Sequence, residues 1–446
     1  MVIQELTPAE AWLPARLVHP LKKNNLLLCL LVGGLFTAEA LFSLWTGMAY
    51  DMNIWFRTGI WMSQGTNIYL PADHLGYPPL WAFWCLAANR VYAFFGNNME
   101  IWRFAIKLPL ILAQFALAFA IGKFAEKRFD QKTGRKIFLF ALTWSFFIYI
   151  GAFWGQLNMI SALLTFLAFW AVISKRTFLG GIFLGVAVTL KIYPLIVLPA
   201  FLAYIWKNRG KKESGKFLLL ACGLPVSFTL LVFAAYRWDF LYFLKTIFYW
   251  TPAFDANPVQ MQGGCMNIWS FLSLINVDIS QISFLRFIWI PVLAAGALYW
   301  FKKRHMDEAD LNLSLISFYL LFMLSYAWIS EQTFLDPLPF IFLQILGYRA
   351  RKSYLYMLVA AQVLVFAFSA FNWGPFVFEP LLTRFSPGLL ESIQFLDPSK
   401  NPFVWTTRGL LGLFVSMALG FFLVALAKPK FFEQAQVKIA EIFRKN

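Results

Sequence analysis

Charge is scarce in this chain, and acid scarcer than base. Of 446 residues only 13% are charged, and 22 Asp and Glu stand against 38 Lys and Arg, a formal net charge of +16. Such a basic excess can signal a nucleic-acid partner, but here Lys and Arg sit in short clusters between apolar runs, the pattern of cytoplasmic loops, so no nucleic acid is expected. Cysteine is scarce as well. Cys29, Cys85, Cys222 and Cys265 form no CxxC pair and lie mostly inside apolar segments, which argues against both a zinc site and a disulfide framework. Repeats of fixed period and low-complexity linkers are missing too, so residues 1–446 read as one domain.

What the chain has in abundance is apolar and aromatic surface, at 60% and 19% of residues, in runs long enough to cross a hydrocarbon layer about 30 Å thick. The reading is an all-α polytopic membrane protein. Taking the basic loops as cytoplasmic markers gives twelve spans, at 26–45, 100–122, 137–153, 157–174, 178–190, 194–206, 217–236, 283–301, 311–329, 333–347, 353–371 and 407–427, with both termini inside. The first run follows Lys22-Lys23 and has no small-residue cleavage site, so it is expected to stay as a span. Segment 78–96 is expected to dip into the bilayer from outside without crossing. Segments 178–190 and 194–206 are short and interrupted at Pro194, which suggests broken helices around an interior cavity. Two outer loops are long, 46–99 and 237–282, and residues 428–446 form an amphipathic cytoplasmic tail. The expected location is the cell membrane, or the endoplasmic reticulum membrane in a eukaryote.

The first outer loop carries "AYDMNIWFRTG", with Asp51 ahead of an aromatic helix at about 52–64 whose Ile54, Trp55, Trp61 and Met62 suit the membrane interface. Asp51 can be an N-cap of that helix or a functional acid, and the two roles can coexist. Further on come Thr58-Gly59, Gly65, Tyr69 and a stiff Tyr77-Pro78-Pro79 turn; then "WGQLN" at 154–158, "LKIYPLIVLPAF" at 190–201 and "NIWS" at 267–270.

In order and spacing these elements resemble the polyprenyl-phosphate-mannose-dependent mannosyltransferases, membrane glycosyltransferases of the GT-C class, and their glycosylphosphatidylinositol relatives. The resemblance implies an inverting transfer of a hexose, mannose in that family, from a polyprenyl-phosphate sugar to a glycolipid or glycan acceptor at the outer face of the bilayer. It makes Asp51 the base and Lys191 the donor-phosphate cation, with Arg237 as the alternative; Lys191 can instead be a snorkelling lysine. Gln156 and Asn158 are candidates for sugar hydroxyls or plain turn caps. His74, Tyr77 and Tyr193 are further candidate contacts. Where one branch of the family has paired histidines this chain reads Ser330-Glu331-Gln332, so Glu331 is the nearest acid for that role, or a helix cap. Ala49 and Asn53 flank Asp51 in place of an Asp-x-Asp pair, so no hard divalent cation and no cofactor is expected, although a metal stays open. A transporter or lipid flippase is the competing reading, since interior Pro breaks and an intramembrane cation also suit alternating access.

Overall fold

Apolar segments in a bilayer must satisfy their own backbone hydrogen bonds, and this chain does so with helices; no strand occurs among the described residues. The computed structural model describes residues 23–70, 75–249, 264–277, 285, 287–349, 351–397 and 400–429. The first helices are α1 (Lys23–Ser43), α2 (Ala49–Ser63), α3 (Leu80–Phe94), α4 (Met99–Arg128), α5 (Gln131–Leu142) and α6 (Ser145–Ile148), the last running into a π-turn, Tyr149–Trp154. Then follow α7 (Asn158–Ile173), α8 (Thr177–Leu190), a 3-10 turn at Tyr193–Val197, α9 (Leu198–Arg209), α10 (Lys211–Tyr236) and α11 (Phe240–Tyr249). The remainder holds α12 (Ile268–Leu274), α13 (Trp289–Lys302), α14 (Glu308–Ser325), a 3-10 turn at Glu331–Leu335, α15 (Leu338–Leu343), α16 (Lys352–Ala370), α17 (Glu379–Phe385), α18 (Pro387–Gln394) and α19 (Pro402–Ala427).

Local chemistry sets the ends. Asn98 caps α4 by accepting from the N–H groups of Glu100 and Ile101, and Lys127 and Arg128 close the helix where its dipole favours cations. At α14, Asp307 and Asp310 form a reciprocal capping box. Among the described residues six helices are long and apolar enough to cross a membrane, and α5 with the α6 segment forms an apolar pair bent by 45°, a broken span or a re-entrant loop. Asn158–Ile173 and Thr177–Leu190 are shorter apolar helices, and the sequence-derived pair at 178–190 and 194–206 is α8 and α9 with the Tyr193–Val197 turn between them. This is a multi-pass membrane protein.

The basic loops meet at one pole of the bundle. Arg128 pairs with Glu308 at 3.0 Å, Lys207 donates to the carbonyl of Trp300 at 2.8 Å, and Asn208 donates to that of Met306 at 3.0 Å. At the other pole lies the first long loop. Its helix α2 begins three residues earlier than expected, with Met48 as the N-cap residue and no side-chain cap bond. The cap reading of Asp51 is therefore corrected: its carboxylate bonds elsewhere. Trp55 and Met62 turn into the protein rather than toward lipid, with the Trp55 ring 5.2 Å from Trp81 of α3. Asn89 of α3 ties the two helices to α4 by donating to the carbonyl of Phe56 at 2.9 Å and accepting from the Trp102 indole at 2.7 Å. Buried aromatic area, supported by these bonds, makes the loop part of the fold. Positions 71–74 of that loop, including His74, and the tail from 430 onward lie outside the described residues.

Candidate functional site

The geometry begins with the turn after the π-segment. Gly155 adopts a left-handed φ of +85°, and the N–H groups of Gly155 and Gln156 both donate to the carbonyl of Ile150, at 3.0 and 2.9 Å. This chain reversal sets Trp154 and Gln156 close to Asn158, the first residue of α7. All three are buried. Beneath the turn, Lys107 of α4 donates to the carbonyl of Thr46 at 2.8 Å, to its hydroxyl at 3.0 Å and to the carbonyl of Ala152 at 3.0 Å. One buried ammonium thus binds the start of the first loop to the π-turn.

Across this junction stands Asp51, in the first turn of α2. Its Oδ2 accepts from the Trp154 indole at 2.8 Å and from the Gln156 amide at 2.6 Å, while Oδ1 accepts no bond from the described residues. Asp51 is half-buried. Burial pushes its pKa above the usual carboxylate range, against the opposing effects of Trp154, Lys191 and Gln156. The side-chain oxygen Oε1 of Gln156 is buried without a partner among the described residues.

Lys191 closes the other side. It caps α8 in extended backbone, just before the Tyr193-Pro194 turn, and is 3% exposed, so the snorkelling reading fails. Its Nζ donates to Asn158 Oδ1 at 2.7 Å and lies 4.8 Å from the Tyr193 ring and 5.5 Å from the Tyr77 ring. Asn158 in turn donates to Asp336 Oδ2 at 2.8 Å. Burial pulls the Lys191 pKa down, and the charges of Asp336 and Asp51 hold it up.

The structure therefore gathers Asp51, Gln156, Asn158, Lys191, Tyr77 and Tyr193. Arg237 is not among them: it stands exposed in left-handed backbone at the end of α10. Glu331 is buried and accepts from Asn372 at 3.2 Å, in a separate cluster. Sequence reasoning missed Trp154 and Asp336. For Asp336 the signal was there, an acid inside the apolar run "FLDPLPFIF"; for Trp154 an indole beside Gly155 carried no separate mark. Beside Leu190 an apolar cavity of about 300 Å³ opens, lined also by Trp81, Phe83, Trp84 and Ile160. Among the described residues no three His, Cys, Asp or Glu side chains stand where they can hold a metal ion.

Residues 74–325 match the family model described as glycosyltransferase family 87, a stretch that covers more than half of the chain and includes Tyr77, Gln156, Asn158, Lys191 and Tyr193. No curated protein matches the chain.

Proposed function

The chain belongs to glycosyltransferase family 87, and from that premise we propose that it moves a hexose, mannose in the first instance, from a polyprenyl-phosphate sugar to a glycolipid or glycan hydroxyl with inversion. As a membrane glycosyltransferase it works on lipid-borne substrates, and family membership favours transfer over the transporter reading. One observation supports the residue assignment above the others. Asp51 has one carboxylate oxygen held by two neutral donors and the other free, the arrangement a general base needs to stay fixed while it takes a proton.

In the proposed reaction Oδ1 of Asp51 accepts the proton of the acceptor hydroxyl as its oxygen attacks the anomeric carbon. The bond from that carbon to the phosphate oxygen breaks on the opposite side, and its electron pair leaves with the phosphate. Lys191, oriented by Asn158 and Asp336, stabilises the departing negative charge. Tyr77, Tyr193 and Gln156 line the space for sugar and acceptor. The apolar cavity lined by Leu190, the residue before Lys191, offers a place for the first isoprene units. A purified preparation mixed with a radiolabelled polyprenyl-phosphate mannose and a membrane lipid extract should yield labelled glycolipid. No labelled product from any polyprenyl-phosphate hexose tried would remove the reading.

A further inference from the structure

Arg408 has no part in that scheme, and its surroundings are unusual for a buried cation. It lies in α19 at 2% exposure. The adjacent α12 packs flush against this stretch: a Cβ added at Gly409 would fall 2.4 Å from Leu274, and one at Gly412 only 1.9 Å from Ser270 Oγ. The guanidinium is stacked on Trp405, 4.5 Å from the ring centre, and its Nη1 donates to Asn372 Oδ1 at 3.0 Å. Its remaining donors, Nε and Nη2, are buried and have no partner among the described residues.

Those two groups form the side-on fork that meets two oxygens of one oxyanion. A purely structural arginine would spend that fork on a buried acid such as Glu331. Here Asn372 intervenes, donating to Glu331 Oε2 at 3.2 Å while accepting from Arg408, and no direct ion pair joins the two charges among the described residues. Leaving two guanidinium donors unsatisfied in a buried position is costly unless a ligand completes them. The cluster also borders the candidate site. Tyr149 packs 5.8 Å from Trp154, the indole that holds Asp51, and shares a 2.9 Å hydroxyl bond with Ser369, whose carbonyl accepts from the Asn372 N–H at 3.1 Å.

We propose that the free Nε and Nη2 edge of Arg408 is a second oxyanion site, separate from Lys191, that grips the phosphodiester of a lipid-borne substrate. Glu331 and Asp397 near the guanidinium favour a singly charged diester over a doubly charged monoester. Two lipids carry such a group, the prenyl-phosphoryl sugar and a phospholipid-type acceptor. The inference rests on the transferase reading only for which lipid is involved, not for the site itself.

The test uses the full chain in nonionic detergent with two probes, farnesyl-phosphoryl-mannose and dimyristoyl phosphatidylinositol, and phosphate-free dimyristoylglycerol as control. At least one diester should bind wild type and weaken about tenfold or more in Arg408→Lys, which keeps the charge but loses the fork. Loss confined to the prenyl probe assigns the fork to the donor; loss confined to phosphatidylinositol assigns it to the acceptor. Wild type supplies a readout that does not depend on the variant folding: its melting temperature should rise with the bound diester and not with dimyristoylglycerol. No rise in wild type, or a folded Arg408→Lys chain that binds both diesters like wild type, overturns the proposal. Arg408-dependent binding without any sugar transfer would remove the transferase reading and leave this site in place.

Discussion

At the scale of single residues the central expectation concerns Asp51. Asp51→Asn keeps an oxygen for the Trp154 and Gln156 donors but cannot take a proton, so kcat should fall about 100-fold or more while donor binding persists, as judged by single-turnover and binding assays. Its pKa gives a second expectation. The base works when ionised, and burial raises its pKa, so the rate should climb with pH through a range above that of an ordinary carboxylate. Trp154→Phe deletes a donor to the ionised form and moves that pKa further up. The acidic limb of the kcat profile should shift to higher pH, with the plateau rate recovered once pH is raised; an unshifted limb would separate Asp51 from the proton transfer. Chelation is the third. With Ala49 and Asn53 beside Asp51, transfer should survive excess EDTA, and turnover restored only by Mg²⁺ or Mn²⁺ would contradict it.

At the scale of elements, the turn at Gly155 determines whether these side chains meet. A Cβ there would sit 2.7 Å from Lys107 Cδ, and φ is +85°, a conformation L side chains rarely adopt. Gly155→Ala should therefore cost about 1–3 kcal/mol of stability. By shifting Gln156 and Trp154 away from Asp51 it should also lower kcat roughly tenfold or more, since small misplacements of a catalytic contact are expensive. Thermal melts and initial rates measure the two effects separately. How the elements were legible follows the same logic. The apolar runs, the Pro194 break and the polar "WGQLN" turn carry their meaning in composition and order, so the helices, Lys191, Gln156 and Asn158 were readable. Asp336 carries a local mark as an acid inside an apolar run, but its partner Asn158 lies 178 residues away in sequence, and the burial of Arg408 comes from two glycines on α19 and a short helix over 130 residues away. Side-chain contacts made by distant segments leave no local pattern. The start of α2 was misplaced for the opposite reason: Asp is a common cap residue, and here Trp154 and Gln156 outcompete the backbone for its carboxylate.

At the scale of the whole molecule the bundle separates two chemistries by its length. One pole collects Arg128, Lys207, Glu308 and the basic loops around them; the other collects Asp51, the 154–158 turn and Lys191. Helix α4 connects both ends in a single element, Met99–Arg128, with Lys107 under the site and the basic end 21 residues away along the same helix. The expected retention of basic loops on the cytoplasmic side would put the site on the outer side, an expectation that makes no reference to the reaction. The orientation is open to direct measurement. In a background with Cys29 and Cys222 replaced by Ser, Thr66→Cys lies on the exposed end of the first loop and Lys212→Cys at the exposed basic end of α10. A membrane-impermeant maleimide added to intact cells should label the first and spare the second until the membrane is opened. The reverse pattern would place Asp51 and Lys191 in the cytoplasm, where a donor presented from the outer leaflet cannot reach them, and would overturn the proposed side of the reaction while leaving the geometry of the site intact.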